Sequence, residues 1–180
     1  MSEHVFPDAD FGGNFVKKNC EIRRRLEASL LIMSAHATIL LADDDEDDVF
    51  LLDRAFKEAR VPNPRNRVAD GEQVLAYLDG AGKYSDRRIF PYPLFLLLDL
   101  QMPTMDGFEV LKWIRQHPHH KRLPVIALTG LESQPVLLRA YDLGANSLHK
   151  KPSNFQELIH LVEGLQAYWQ VTKFPPAPPC

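Results

Sequence analysis

Two hydrophobic periods alternate along this 180-residue chain between about residues 38 and 170. Short continuous apolar runs are typical of strands buried on both faces of a parallel sheet, and apolar residues recurring every three or four positions are typical of helices. The predicted strands are 38–42, 66–69, 94–98, 125–128 and 146–149, and the predicted helices include 49–59 and 74–78 and cover 108–116, 132–142 and 155–170. The pattern predicts an α/β fold, a doubly wound five-stranded parallel sheet with helices on both faces.

The most apolar predicted strand, 94–98, ends in a single carboxylate, Asp99, and Pro103 and Gly107 then open a loop. Burying a carboxylate within such a strand is costly, so we expect Asp99 at its carboxyl end, where open α/β sheets bind ligands. A strand that stops at Asp only because Asp disfavours strands would look the same locally. The ends of the other strands therefore decide between these two interpretations.

Six acidic residues, Asp43 to Asp48, follow the first predicted strand. Residues 45–48 suit the first turn of a helix, where an acid gains about 0.3 to 1 kcal/mol from the helix dipole. Asp43 and Asp44 are expected at the strand end, beside Asp99. Three carboxylates this close repel by roughly 4 kcal/mol per pair at an effective dielectric of about 20, which predicts a divalent cation. Mg²⁺ fits best, since it takes a few carboxylate and carbonyl oxygens and keeps exchangeable waters.

Two other ligand sites match this acidic run poorly. In a helix-loop-helix calcium loop starting at Asp43, Asp48 would replace the required glycine and Arg54 the closing glutamate. A nucleotide site would need a glycine-rich turn after the first strand, and the acidic residues would repel phosphate.

The last two predicted strands end in a hydroxyl and an ammonium group. Thr129 closes the run 125–128, and Lys151 follows the fifth strand and precedes Pro152. Separately, a strand threonine is common and a lysine before proline is ordinarily solvated. Placed in one crevice, the two groups could hold a phosphoryl group attached to Asp99.

Over about residues 38–170 the sequence resembles the receiver domain of two-component response regulators. The resemblance is carried by Asp43-Asp44, by Asp99 in D-L-Q-M-P-T-M-D-G, by Thr129 in A-L-T-G and by Lys151-Pro152 in K-K-P-S. It implies a flavodoxin-like strand order 2-1-3-4-5 and phosphorylation of Asp99 by a histidine kinase.

The same resemblance implies the ligands of the metal ion. Asp44, Asp99 and the backbone carbonyl of Gln101 would hold Mg²⁺, with Asp43 assisting through water. Family receivers also often have a cis peptide bond at the position of Lys151-Pro152.

One position departs from the family pattern. Receivers that switch by rotating an aromatic side chain carry Tyr or Phe three residues before the lysine, where this chain has Leu148. With Thr129 as the other switch residue, we expect phosphorylation to cause a smaller conformational response here.

A narrower resemblance lies towards the C-terminus. The long loop before the third strand, the helix end A-Y-W-Q and the tail F-P-P-A-P-P resemble stand-alone receivers that partner bacterial phytochrome histidine kinases. That resemblance implies a homodimer formed through the last strand, the last helix and the extension, with Tyr168 and Trp169 as candidate interface residues. Core packing of a terminal helix would explain both aromatics equally well. The proline-rich tail, 171–180, is expected to be extended and semi-rigid.

The composition of the chain limits its cellular location and its possible partners. The net charge of -3 gives no sign of nucleic-acid binding, and apolar runs of about five residues are too short for a membrane span of about 20. The two cysteines, Cys20 and Cys180, lie at opposite ends of the chain and fit a reducing, cytoplasmic compartment.

Residues 1–37 form an N-terminal extension before the predicted domain. The first fifteen residues show no hydrophobic period and are expected to be poorly ordered, while 20–33 could form a short amphipathic helix. The first 32 residues could equally be an upstream extension that has no function.

Two other function classes match the sequence less well. A hydrolase of the haloacid-dehalogenase type would place its general acid two residues after the nucleophile, where Gln101 has no proton to give. A receiver-like binding module that is not phosphorylated would usually have lost a site residue, and none is missing. The sequence therefore predicts a signalling receiver that catalyses only its own phosphotransfer and dephosphorylation and acts through protein contacts.

Overall fold

Five short strands form one parallel sheet. The computed structural model describes residues 37–130 and 133–178. Its strands are β1 Ile39–Ala42, β2 Arg65–Val68, β3 Phe95–Asp99, β4 Val125–Thr129 and β5 Ser147–Lys150. Their order is β2-β1-β3-β4-β5, and each neighbouring pair is parallel. The predicted doubly wound fold and strand order are confirmed.

Five helices cover the two faces of this sheet: α1 Glu46–Glu58, α2 Gly71–Asp79, α3 Gly107–Gln116, α4 Gln134–Asp142 and α5 Phe155–Val171. The buried residues of α1 and α5 pack with one side of the sheet, and those of α2, α3 and α4 pack with the other. Side-chain oxygens cap the N-termini of α1, α2, α3 and α5 from Asp45, Asp70, Asp106 and Asn154. These caps satisfy amide groups that the helices themselves leave unpaired.

The side chains of β3 alternate between the two cores. Leu96 and Leu98 pack among the α2–α4 residues, while Phe95 and Leu97 pack among those of α1 and α5. Because successive side chains of a strand point to opposite faces, Asp99 falls on the side of α1 and α5. Asp43 follows Ile39 and Leu41 of β1 with the same alternation, so both acids lie on the side of the sheet where α1 begins.

The long segment between α2 and β3 is tied to the core by aromatic packing. It contains a short 3₁₀ turn, Gly82–Tyr84, and the Tyr84 ring lies 5.2 Å from Tyr77 and 5.1 Å from Phe90. The guanidinium of Arg87 donates to the carbonyls of Tyr77 at 2.8 Å and Leu78 at 2.6 Å. The sequence predicted a long loop here, and the structure adds the contacts that hold it in place.

The two candidate interface aromatics at the end of α5 differ in burial. Trp169 is only 4% exposed, and its ring lies 4.5 Å from Phe95 and 6.4 Å from Phe56. Its aromatic area is therefore already covered within the chain, because the last turn of α5 presents this residue to the core. Tyr168, the preceding residue of the helix, is 62% exposed. The first part of the tail also packs inward, with the Phe174 ring 6.4 Å from Phe95.

The disorder and the short helix predicted within residues 1–37 lie outside the described residues, apart from Ala37 itself.

Within 37–130 and 133–178, no helix has the length and apolar character needed to cross a bilayer.

Candidate functional site

The predicted acidic residues converge at the carboxyl end of the sheet. Asp43 and Asp99 are almost fully buried, at 4% and 5% exposure, and Asp44 is exposed. Oxygen atoms of the three carboxylates lie within 4.8 Å of one another. The pairing of β1 with β3 produces this arrangement, because it places Ala42 beside Leu98 and brings the next residues of both strands together.

Both oxygens of the Asp99 carboxylate accept hydrogen bonds. The backbone N–H of Gln101 donates to Oδ1 at 2.9 Å, and the Lys151 ammonium donates to Oδ2 at 2.7 Å. Gly107, which opens α3, lets the loop return close to this strand end. A Cβ atom at Gly107 would overlap the Asp99 carbonyl oxygen, so no larger residue fits here without a backbone shift.

The ammonium of Lys151 joins three carboxylates. Its Nζ lies 2.8 Å from Asp43, 2.7 Å from Asp48 and 2.7 Å from Asp99. Burial lowers the pKa of Lys151, but the hydrogen bonds to these three acids outweigh it and raise the pKa above its ordinary value. The lysine therefore stays charged and supplies the positive charge that these acids need.

One ammonium does not neutralise the whole acidic cluster. Burial raises the pKa of Asp43; Lys151 opposes this effect and the nearby Asp99 charge adds to it, and the pKa is raised overall. Because burial is the largest cause, the ionised form of Asp43 is poorly solvated in spite of its contact with Lys151. A further cation beside the three clustered carboxylates would stabilise their ionised forms.

Asp48 is the site residue that the sequence reasoning missed. It lies in the first turn of α1, as predicted, and its carboxylate also contacts Lys151, which was not predicted. Asp45 caps the helix, since its side chain accepts from the backbone N–H groups of Asp47 and Asp48. Nothing in a run of six acids singles out Asp48, because only the rotation of α1 about its axis turns it towards the lysine.

Thr129 lies on β4, the strand beside Asp99, and Leu148 lies on β5, the next strand of the sheet. Thr129 is buried at the end of β4, and its carbonyl accepts from the backbone N–H of Lys151 at 2.8 Å. Leu148 pairs with Ala127 and packs against the α2–α4 core. The peptide bond between Lys151 and Pro152 is trans, contrary to the expected cis form; no described peptide bond is cis. The trans isomer is the ordinary preference before proline.

The donor atoms of this site suit a hard divalent cation. The three carboxylates offer only oxygen, and Gln101 brings the main chain beside Asp99. Small hard cations such as Mg²⁺ favour oxygen ligands and retain some water molecules. The predicted ligands Asp43, Asp44 and Asp99 are thus brought together.

Residues 39–163 match the family described as response regulator receiver domain. The response regulator Rcp1 of Synechocystis sp. (strain ATCC 27184 / PCC 6803 / Kazusa) is 33% identical, over 77% of this chain and 92% of that protein.

Solved structures extend the comparison. Response regulator RPA3017, in red light signaling of R. palustris, superposes with a TM-score of 0.75 at 34% identity, covering 78% of this chain and 99% of its own. The phosphorylated cyanobacterial phytochrome response regulator RcpA gives 0.72 at 32% identity, and the Mn²⁺-bound form of Rcp1 gives 0.69 at 31%, with the same two coverages.

Proposed function

The chain belongs to the response regulator receiver domain family, and from that premise we propose that it accepts a phosphoryl group on Asp99 from a histidine kinase. The observation that carries the proposal is the contact of one Asp99 oxygen with Lys151, in a cluster with Asp43 and Asp44. A haloacid-dehalogenase hydrolase is not supported, because the match is to receivers and residue 101 is Gln.

The proposed transfer uses a carboxylate as nucleophile. An oxygen of Asp99 attacks the phosphorus of a phosphohistidine, the P–N bond to the kinase histidine breaks, and an acyl phosphate forms on Asp99. Lys151 already donates to this carboxylate, so its ammonium is in place to pair with the added phosphoryl oxygens. Thr129 would supply a hydroxyl donor to the same group.

Asp44, Asp99 and the carbonyl of Gln101 would hold Mg²⁺, with Asp43 assisting. When bound, the ion supplies positive charge that offsets the negative charge developing on the transferred group. The close carboxylates, the raised pKa of Asp43 and the Mn²⁺-bound form of the similar Rcp1 support a divalent metal here.

Magnesium should stabilise the folded protein. Since Mg²⁺ binds the folded cluster and not the unfolded chain, a concentration of 100 times its Kd adds about 2.7 kcal/mol to the free energy of unfolding. We expect Asp44→Ala to abolish this gain and Asp47→Ala, an exposed acid in the same run, to retain it. Thermal unfolding with and without millimolar Mg²⁺ measures both. A melting temperature that does not respond in the unmodified protein, or responds equally in Asp44→Ala, would contradict the metal assignment.

The response to phosphorylation should be small around α4. A phosphoryl group adds about -1.5 to -2 charges and should draw Thr129 towards Asp99. A ring at residue 148 could rotate into the vacated space, but Leu148 can only change rotamer. We expect Leu148→Tyr to enlarge the change in amide exchange over α4 when a beryllofluoride phosphoryl mimic is added. An unmodified protein whose α4 already changes as much as the variant's would show that Leu148 does not restrict the switch.

We further propose that the chain signals from the cytoplasm through protein contacts, with a bacterial phytochrome kinase as partner and a homodimer as its assembly. The similarity to phytochrome response regulators supports the kinase class. No role in binding nucleic acid or membranes is proposed. For the dimer, the exposed Tyr168 and Val171 at the end of α5 are the candidate surface.

The dimer proposal predicts a concentration-dependent assembly that Tyr168 controls. Burying an exposed aromatic side chain in a two-fold interface contributes to both subunits at once, so Tyr168→Ala should weaken the dimer. Sedimentation of the full chain at micromolar concentration should detect a dimer that this variant loses. A full-length monomer at high concentration, or a variant that dimerises equally well, would refute the proposed surface.

A further inference from the structure

A second group of ligand-type side chains lies at the other edge of the sheet. Asp79 ends α2, His117 follows α3, and His120 lies in the turn between α3 and β4. A helix that follows a parallel strand returns the chain to the amino edge of the sheet, so these residues lie away from Asp99. Nothing in the phosphotransfer proposed above uses them.

The three side chains converge on one point. The Asp79 Oδ1 atom lies 2.9 Å from His120 Nε2 and 3.7 Å from His117 Nε2, and all three ligand atoms lie within 4.8 Å of one another. Zinc ligands lie about 2.0 to 2.2 Å from the ion, so two of them are at most about 4.4 Å apart. The Asp79 oxygen lies within this limit of both histidine nitrogens, so closing the site depends mainly on the orientation of the His117 ring. Asp79 is exposed and His117 is half-buried.

His120 is already oriented as a ligand. It is 4% exposed, its Nε2 faces Asp79, and its Nδ1 lies 3.2 Å from the Tyr92 hydroxyl. Histidines that bind metals commonly donate their second ring N–H to such a partner, which fixes the ring orientation. The Tyr92 and His117 rings also stack on His120, with centroids 5.6 and 4.1 Å away.

His117 requires the larger adjustment. Its ring is nearly parallel to that of His120, at 10°, and its Nδ1 accepts from the backbone N–H of His119 at 3.3 Å. Coordination through Nε2 places the ring proton on Nδ1, so this long hydrogen bond must break and the ring must tilt out of the stack. The His117 ring also stacks on Trp113 at 4.7 Å, and these contacts are weak compared with a metal–imidazole bond.

We propose that Asp79, His117 and His120 form a zinc site. Two imidazoles and one carboxylate are a common zinc ligand set, and a water molecule would complete the tetrahedron. Magnesium is disfavoured because it prefers oxygen ligands. The ion would cross-link the end of α2 to the segment that follows α3, and Tyr92 would act as a positioning residue.

The test is a calorimetric titration of the full chain with Zn²⁺ in excess Mg²⁺, with thermal unfolding measured in parallel. We expect saturable binding and a raised melting temperature. His117→Gln and Asp79→Asn should each weaken zinc binding at least tenfold, because each removes one of three protein ligands. His119→Gln is the matched control, since this exposed histidine lies in the same turn and should leave the affinity unchanged.

Two further variants distinguish loss of the zinc site from misfolding and from zinc binding at the acidic cluster. Tyr92→Phe keeps the ring and removes only the hydroxyl, so it should weaken zinc binding about tenfold even if a ligand variant folds poorly. Asp44→Ala should leave this zinc affinity unchanged, which separates the site from the acidic cluster. Absence of zinc binding by the unmodified chain, or affinity unchanged in His117→Gln, Asp79→Asn and Tyr92→Phe, would overturn the proposal.

Discussion

Asp99→Asn is expected to abolish uptake of a phosphoryl group completely. The amide oxygen of asparagine is a poor nucleophile, and the proposed metal site would lose a charged ligand. The variant should remain folded, because removing one of the crowded carboxylates relieves repulsion with Asp43. Intact mass after incubation with a small phosphodonor and Mg²⁺ measures the uptake directly.

The matched control for this experiment is Asp47→Asn, which removes an exposed acid from the run that precedes and opens α1. Its phosphoryl uptake should equal that of the unmodified protein, since Asp47 lies outside the carboxylate cluster. Undiminished, Mg²⁺-dependent labelling of Asp99→Asn would show that the acceptor is another residue and would remove the basis of the proposed function.

Trp169→Ala is expected to reduce the free energy of unfolding by roughly 3 to 5 kcal/mol, the usual cost of truncating a buried aromatic residue. The ring fills the space between Phe95 and Phe56, so its removal leaves a cavity at the junction of α1, β3 and α5. Since small domains are stable by only about 5 to 15 kcal/mol, this loss is large. Urea unfolding measures it.

Tyr168→Ala is the control, because it truncates the exposed neighbouring aromatic on the same helix. Its stability at concentrations where the protein is monomeric should change by less than about 0.5 kcal/mol. Equal losses in the two variants would contradict the assignment of Trp169 to the core. Because Trp169 is buried, a chain truncated before this residue would lose part of its core. The oligomeric state of such a truncated chain would therefore not test the proposed dimer.

The acidic cluster illustrates how far the sequence alone could go. Asp43, Asp44 and Asp99 could be placed together because parallel strands end at a common edge and buried strands are readable as apolar runs. Asp48 could not be identified, since its contact with Lys151 depends on the angle at which α1 packs on the sheet. The triple contact of Lys151 was unpredictable for the same reason.

The residues of the proposed zinc site could not be grouped from the sequence. Asp79 and His120 are 41 positions apart and belong to different strand–helix units, and their 2.9 Å contact follows no sequence period. Tyr92 reaches His120 from a third segment, the long loop before β3. Only the packing of α2 beside α3 brings these groups within reach of one another.

The sequence by itself determined the α/β class, the strand order through family resemblance, and the acidic and basic residues gathered at the carboxyl edge. These properties follow from hydrophobic periodicity and from motifs whose members lie at strand ends, so local information is enough. The tertiary structure decided which aromatic of the pair Tyr168 and Trp169 is buried, and which acids contact Lys151. Those outcomes depend on helix rotation and on contacts between distant segments, which neighbouring residues along the chain do not fix.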